Sequence, residues 1–183
     1  MNINNLHGII PSDLVLGVLN LLETHNFPKG HILHEQGTVC KHIYLVQSGL
    51  ARTFFFKEGK DITVHIASEG ELITAVDSVI SLKKSRYNVE LLEDSEVYVI
   101  PYVKFQSLMA SHPEYERYLR LILEQLYVEG ADRIEEFLFY SAKERYDNLM
   151  KTRPYLLNRV NLGHIASYLG MEQETLSRIR KKS

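Results

Sequence analysis

The chain has 183 residues, 45% hydrophobic and 24% charged, with 21 Lys and Arg against 23 Asp and Glu for a formal net charge of −2. This ordinary globular balance excludes collagen-like, low-complexity and wholly disordered classes, and the single cysteine, Cys40, excludes an internal disulfide framework, a Cys-based zinc site and a four-cysteine iron–sulfur cluster. No apolar run approaches the roughly 18 to 20 residues of a membrane span, and the start MNINNLHGII lacks the basic and long apolar segments of a signal peptide, so a soluble, cytoplasmic protein is expected.

The charge is unevenly spread. Residues 1–111 carry 9 basic and 12 acidic groups, residues 112–140 carry 3 and 7, and residues 141–183 carry 9 and 4. A basic terminal segment on an acidic chain points to a polyanionic partner.

In chain order, Ser12 as N-cap, Asp13 in the first turn and the stripe Leu14, Val15, Val18, Leu19 and Leu22 predict a short helix. From Thr24 to Pro101 short β-rich runs alternate with turn signals, and Lys57-Glu58-Gly59-Lys60-Asp61 separates two alternating runs as a hairpin turn. Strands of this number and spacing predict an antiparallel sandwich or barrel. After Pro101 the period becomes helical: Val103 to Ser111 makes a short helix, and Pro113 opens a long one. Apolar residues at Tyr115, Leu119, Ile122, Leu126, Ile134, Phe137 and Leu138 recur every three or four positions along it, interrupted near Gly130. A helix packed on its own domain would show the same stripe. Its length, beside a small sheet domain, favours a partner helix, with Leu119, Ile122, Leu126 and Phe137 as the dimer interface.

Three shorter helices should follow: Ala142 to Thr152, ended by Arg153-Pro154; Leu162 to Leu169, with Asn161 as N-cap; and, after the break at Gly170, Glu172 to Lys182. The last two, joined through a glycine turn, have the pattern of a helix-turn-helix. Ala166 is small where the helices would cross, and Leu176 and Ile179 should face Ile165 and Leu169. The opposite face of the second helix carries Gln173, Glu174, Ser177, Arg178 and Lys181, side chains able to read base edges or hold phosphates. An ordinary helical hairpin with a wet face shares this pattern, but the acid–Ser–Arg grouping at the helix start favours DNA.

From about Phe27 to Lys182 the chain resembles the Crp/Fnr family of bacterial transcription regulators. The resemblance rests on the glycine-punctuated β-roll, Gly70-Glu71-Leu72, the strand LEDSEVYVI, the long helix and the terminal ETLSRIRK. It implies an α+β fold with three parts: an antiparallel, cyclic-nucleotide-binding-like β-roll over residues 1–112, a dimerisation helix over 113–140 and a helix-turn-helix domain over 141–183. By the same resemblance Glu174, Ser177 and Arg178 make base contacts in the major groove of a pseudopalindromic double-stranded site, with Gln173 at a further contact position. RNA polymerase is a candidate second partner. Two departures stand out. Glu172 replaces the Ser or Thr that caps the recognition helix in relatives, and the sequence ends at Ser183, so the wing of many members is expected to be absent. Arg180-Lys181-Lys182 could then hold phosphate instead.

In effector-binding relatives the Gly-Glu-Leu glutamate takes a ribose hydroxyl, and a later arginine holds the cyclic phosphate. Here Gly70, Glu71 and Leu72 are in place, but Ser85 stands where the arginine would be, and Arg86 is one residue away, on the opposite face of a strand. Tyr87 replaces a small residue. These five positions (Gly70, Glu71, Leu72, Ser85 and Arg86) mark the candidate effector pocket; a β-roll that is a scaffold, or that senses another small molecule or a protein, is favoured over one that binds a cyclic nucleotide, and no cofactor is required.

The alternatives are a cyclic-nucleotide or small-ligand sensor acting through protein contacts without DNA, and a metal-dependent cupin-like enzyme built on His31, His34 and Glu35. The second is disfavoured, because i and i+3 point to opposite faces of a strand and no His-x-His pair exists. With no nucleophile elbow or phosphate loop either, catalytic and metal residues are expected to be absent.

Overall fold

The computed structural model describes residues 12–182. Eight strands form the first unit: β1 (Glu23–Phe27), β2 (Ile32–His34), β3 (His42–Ser48), β4 (Ala51–Lys57), β5 (Lys60–Ala67), β6 (Leu72–Ile73), β7 (Asn88–Leu91) and β8 (Ser95–Pro101). All pair antiparallel, in two four-stranded sheets of order β1-β8-β3-β6 and β2-β7-β4-β5. This is the expected β-roll. Its interior is filled by Val46, Ala51, Ile73, Val89, Leu91 and Val97, all buried, with Cys40 among them. The β4–β5 hairpin closes on Glu58 and Gly59 with φ of 53° and 76°. Positive φ at both central residues gives the turn whose twist matches its strands, which is why a glycine is needed there.

Eight helices accompany the roll among the described residues: α1 (Ser12–Leu19), α2 (Val76–Val79), α3 (Tyr102–Ser111), α4 (Glu116–Phe139), α5 (Ala142–Thr152), α6 (Leu156–Arg159), α7 (Leu162–Tyr168) and α8 (Gln173–Lys182). α1 ends at Leu19, short of the apolar stripe that reached Leu22. The side chains of Ser12, Val15, Leu19 and Lys182 lie outside the described residues. The long helix starts three residues later than Pro113, which instead opens a 3-10 turn, Pro113–Tyr115. The one-turn helices α2 and α6 were not anticipated; both are too short to show a period.

α5 begins with a reciprocal cap, in which the Ser141 hydroxyl accepts from Glu144 N and the Glu144 carboxylate accepts from Ser141 N. Asn161 caps α7 by accepting from His164 N at 2.7 Å, as its position predicted.

The C-terminal helices do not stand apart from the roll. Leu50, Ile66 and Leu92 turn away from its interior and join Tyr146, Leu149, Leu156, Ile165, Leu169 and Leu176 in a second buried cluster. The β-roll and the helical unit thus share this second cluster. No helix among the described residues is long and apolar enough to cross a membrane.

Candidate nucleic-acid interface and the β-roll motif

α7 and α8 are held at their angle by a small apolar contact and a glycine turn. Leu176 is fully buried against the Ile165–Leu169 side of α7, Ile179 packs at its edge, and Ala166 is buried at the crossing. The turn is a Schellman motif: Gly170 N donates to Ser167 O and Met171 N to Ala166 O, both at 3.0 Å, with Gly170 at φ +65°. Burying one face of α8 leaves the other in solvent. Gln173, Glu174, Arg178 and Lys181 are exposed there, and Ser177 is half-buried at the margin. Arg178 leans on the Thr175 hydroxyl at 3.4 Å. The five residues expected to face DNA therefore lie together on the outward part of one helix.

Glu172 does something the sequence did not suggest. Its carboxylate accepts from Lys60 Nζ at 2.8 Å, tying the start of α8 to the β4–β5 hairpin and holding the Glu172 carboxyl below the usual range.

The candidate effector residues are each engaged with other parts of the chain. Glu71 Oε2 accepts from Ser68 N (2.8 Å) and Ser68 Oγ (3.0 Å), and it is paired at 2.6 Å with Arg153, the residue that ends α5. Both side chains are mostly enclosed, Glu71 at 15% and Arg153 at 17% exposure. Arg153 also donates to Ile66 O at 2.9 Å, and Tyr155 meets Ser68 Oγ at 2.9 Å. Ser85 is buried with its hydroxyl on Asp77 Oδ1 at 2.8 Å, while Arg86 is 73% exposed and 3.8 Å from the same carboxylate. Tyr87 packs edge-on against Phe55. Leu72 pairs with Leu45 in the sheet, and Gly70 N donates to Val46 O at 2.8 Å.

Further arginines missed by the sequence reading complete the junction. Arg159 of α6 reaches both Glu69 (2.6 Å) and Glu93, and it pulls the Glu69 carboxyl down to about 2. Arg52 in β4, only 3% exposed, forms a two-pronged pair with Asp61 at 2.6 and 2.7 Å and also meets Glu90 and Thr63. Asp61 O accepts from the Ser167 hydroxyl of α7, which itself accepts from Thr63 N at 2.9 Å. The one sequence signal for this network was an arginine inside the apolar run LARTFFF, since a buried guanidinium requires carboxylate partners.

The remaining candidates are separate. His31 is exposed and stacked on Phe27 at 4.3 Å, whereas His34 is buried with no hydrogen-bond partner at Nε2; burial lowers its pKa. No group of three His, Cys, Asp or Glu suited to a metal ion occurs among the described residues. Cys40 is buried, its sulfur near His42 O and the Thr74 hydroxyl at 3.4 Å each.

On α4, Leu119 and Ile122 are half-buried within the chain, and Leu126 is exposed. Phe137 has an intramolecular partner: an added Cβ on Gly170 would lie 2.4 Å from Phe137 Cε1, so the ring edge rests on the helix-turn-helix turn. The apolar residues of α4 most open to solvent are Tyr127 (80%), Phe139, Leu138, Ile134 and Leu123.

Residues 24–112 match the model of the cyclic nucleotide-binding domain family. No curated protein matches the chain in sequence. Among solved structures, FixK2 from Bradyrhizobium japonicum has a TM-score of 0.74 at 16% identity, covering 88% of this chain and 83% of its own. CLP, the c-di-GMP-responsive global regulator of Xanthomonas campestris, has a TM-score of 0.71 at 16% identity, with 94% and 91% covered. A Crp/Fnr-family putative transcriptional regulator from Eubacterium rectale has a TM-score of 0.70 at 21% identity, with 97% and 85% covered.

Proposed function

We propose that this chain, which carries a cyclic nucleotide-binding-family β-roll within the fold of the Crp/Fnr regulators, is a homodimeric, sequence-specific DNA-binding regulator of transcription acting in the cytoplasm. The observation that carries this reading is α8. Leu176 anchors it, and Gln173, Glu174, Arg178 and Lys181 are presented to solvent on its outward face. Arg can donate to guanine O6 and N7, and Glu can accept from cytosine N4, so two adjacent turns of this helix hold complementary readers.

A second copy of the chain is the occupant proposed for α4. Leu123, Tyr127, Gly130 and Ile134 recur at four, three and four residues, the alternation of a two-helix seam, and the first, second and fourth are exposed. Two-fold symmetry then asks for half-sites about one helical turn, roughly 10 base pairs, apart. Contact with RNA polymerase belongs to the same reading.

The signal is proposed to be a small molecule other than a cyclic nucleotide. Glu71 is already committed to Arg153 and Ser68, and Ser85 offers Asp77 a hydroxyl where a phosphate would need a cation.

Selection of bound duplexes from a random pool tests the whole reading. A pseudopalindromic sequence should emerge, and Arg178→Ala should weaken its binding by about 1–3 kcal/mol while relaxing preference at one base position. Recovery of no consensus, or an unaffected Arg178→Ala variant, overturns DNA recognition by α8. Calorimetry with cAMP and cGMP should give no heat of binding, and micromolar affinity for either would overturn the effector assignment.

A further inference from the structure

Three carbonyls follow those satisfied by the Schellman turn, and all three are gripped by arginines from outside the helix-turn-helix. Arg133 of α4 donates to Tyr168 O. Arg145 of α5 donates through Nε to Leu169 O at 2.8 Å and through Nη2 to Gly170 O at 3.4 Å. The third nitrogen of Arg145 holds Tyr140 O, at the end of α4, at 2.6 Å. Carbonyls at a helix C-terminus carry the negative end of its dipole, so guanidinium groups are the natural partners.

The grip is reinforced by packing. The Arg133 guanidinium lies 4.0 Å over the Tyr168 ring and 4.5 Å from that of Phe137, and it pairs with Glu136 at 2.9 Å. Glu136 is bonded in turn to Asn148 of α5. The Phe137 ring edge fills the space that a side chain on Gly170 would need.

We infer that Arg133 and Phe137 of α4, with Arg145 of α5, are positioning residues that set the angle of α8 by holding the turn before it. The inference rests on the DNA-binding reading above and adds a route for its signal. Arg133 and Phe137 share helical turns with Ile134 and Leu138, two exposed residues of the apolar face assigned to the dimer. Any rotation of α4 that repacks Ile134 and Leu138 carries Arg133 and Phe137 with it, and with them the turn. The signal therefore reaches α8 directly across space, in addition to the path through α5 to α7.

The test uses the full chain and its selected duplex, with the spacing between half-sites varied by one and two base pairs. Arg133→Gln should lose about tenfold in affinity at the optimal spacing and show a flattened spacing preference. Its dimer mass and its affinity for random duplex should stay at wild-type values at temperatures well below its melting midpoint. Arg133→Lys, which retains one donor, should fall between the two. Wild-type affinity and spacing preference in Arg133→Gln overturn the inference, as does a loss that merely tracks a lower melting temperature or a monomeric mass. Hydrogen exchange separates this failure from failure of the DNA reading. Whether or not a duplex is selected, Arg133→Gln should speed exchange at the amides of residues 171–176 and leave those of β4 and β5 unchanged. Unaltered exchange at 171–176 overturns the positioning role even if DNA binding holds.

Discussion

Gly170 meets two independent demands, a backbone at φ +65° and a neighbouring ring that leaves no room for a methyl group. Gly170→Ala should therefore cost about 2 kcal/mol or more, of which roughly 1 kcal/mol is backbone strain and the rest the clash. In a Phe137→Ala background the clash is gone, so the same substitution should cost only about 1 kcal/mol; equal costs in both backgrounds, measured by urea unfolding, would show that the ring does not rest on the turn. His65 in β5 gives a pH signature. Burial holds its imidazole down at about 4, against an ordinary value of 6.5. Above about pH 8 it is neutral in both folded and unfolded chains and contributes no pH dependence. As pH falls below 6.5 the unfolded chain takes up a proton that the native state refuses until about pH 4, so stability should drop across that window by at most about 1.4 kcal/mol per pH unit. His65→Gln should flatten urea midpoints between pH 6.5 and 4, and an undiminished slope would assign the loss to other groups. At this scale the sequence was legible where a residue's role is local. Asn161 caps because of where it stands before a helix, and Arg178 is outward because Leu176 is inward. It was illegible where the partner is remote: Arg153 reads as the residue before a proline, and nothing in the string says that Glu71, 82 positions earlier, lies opposite.

Helices of seven residues or more were legible as elements because their apolar stripe spans about two turns or more, or because a cap marks their start; α2 and α6, at four residues each, show no period and were invisible. The face of α4 was harder than its existence. Its stripe is broad, and periodicity cannot tell which edge packs inside the chain and which stays outside. The folded chain half-buries Leu119 and Ile122, sets Phe137 against the turn, and leaves Leu123, Leu126, Tyr127, Ile134 and Leu138 in the open. A helix with so much exposed apolar surface needs a cover. A mass near twice 21.2 kDa is expected in light scattering. Leu123→Glu with Ile134→Glu should bring it down to the monomer value without loss of helical circular dichroism, because neither side chain supports the subunit's own core. A double variant that stays dimeric would move the interface elsewhere. Ile122→Glu should instead lower subunit stability by about 1–3 kcal/mol, since a charge would enter a half-buried site.

At the level of the whole molecule, a second buried cluster joins what the sequence divides into a roll and a helical unit. Leu50, Ile66 and Leu92 leave the roll's interior to pack on Leu156, Ile165 and Leu176, and three arginines with four ion pairs ring that junction: Arg153 on Glu71, Arg159 on Glu69 and Glu93, and Arg52 on Asp61 beneath Ser167. Alternating hydrophobicity predicts each strand's inner and outer faces, yet it treats every outer face as wet. That is why this second buried face could not be read. A shared buried cluster predicts a single cooperative unfolding transition for both units. The Arg153–Glu71 pair is enclosed, so removing one partner strands the other's charge. Arg153→Met should thus cost more, about 2–3 kcal/mol, than the double change Arg153→Met with Glu71→Leu, in which no charge is left unpaired. Such a pair acts less as a source of stability than as a selector of one docking geometry, because a shifted helical unit would leave Glu71 without its cation. Two separate transitions in the wild type, or a double variant worse than the single, would mean that the units are tethered rather than fused and that the pair is strongly stabilising in its own right. If the asymmetry holds, the carboxylate in the Gly70-Glu71-Leu72 motif serves here as a socket for the helical unit. Any ligand seeking it must displace Arg153 first, which makes entry to the roll and release of the helix-turn-helix two sides of one competition.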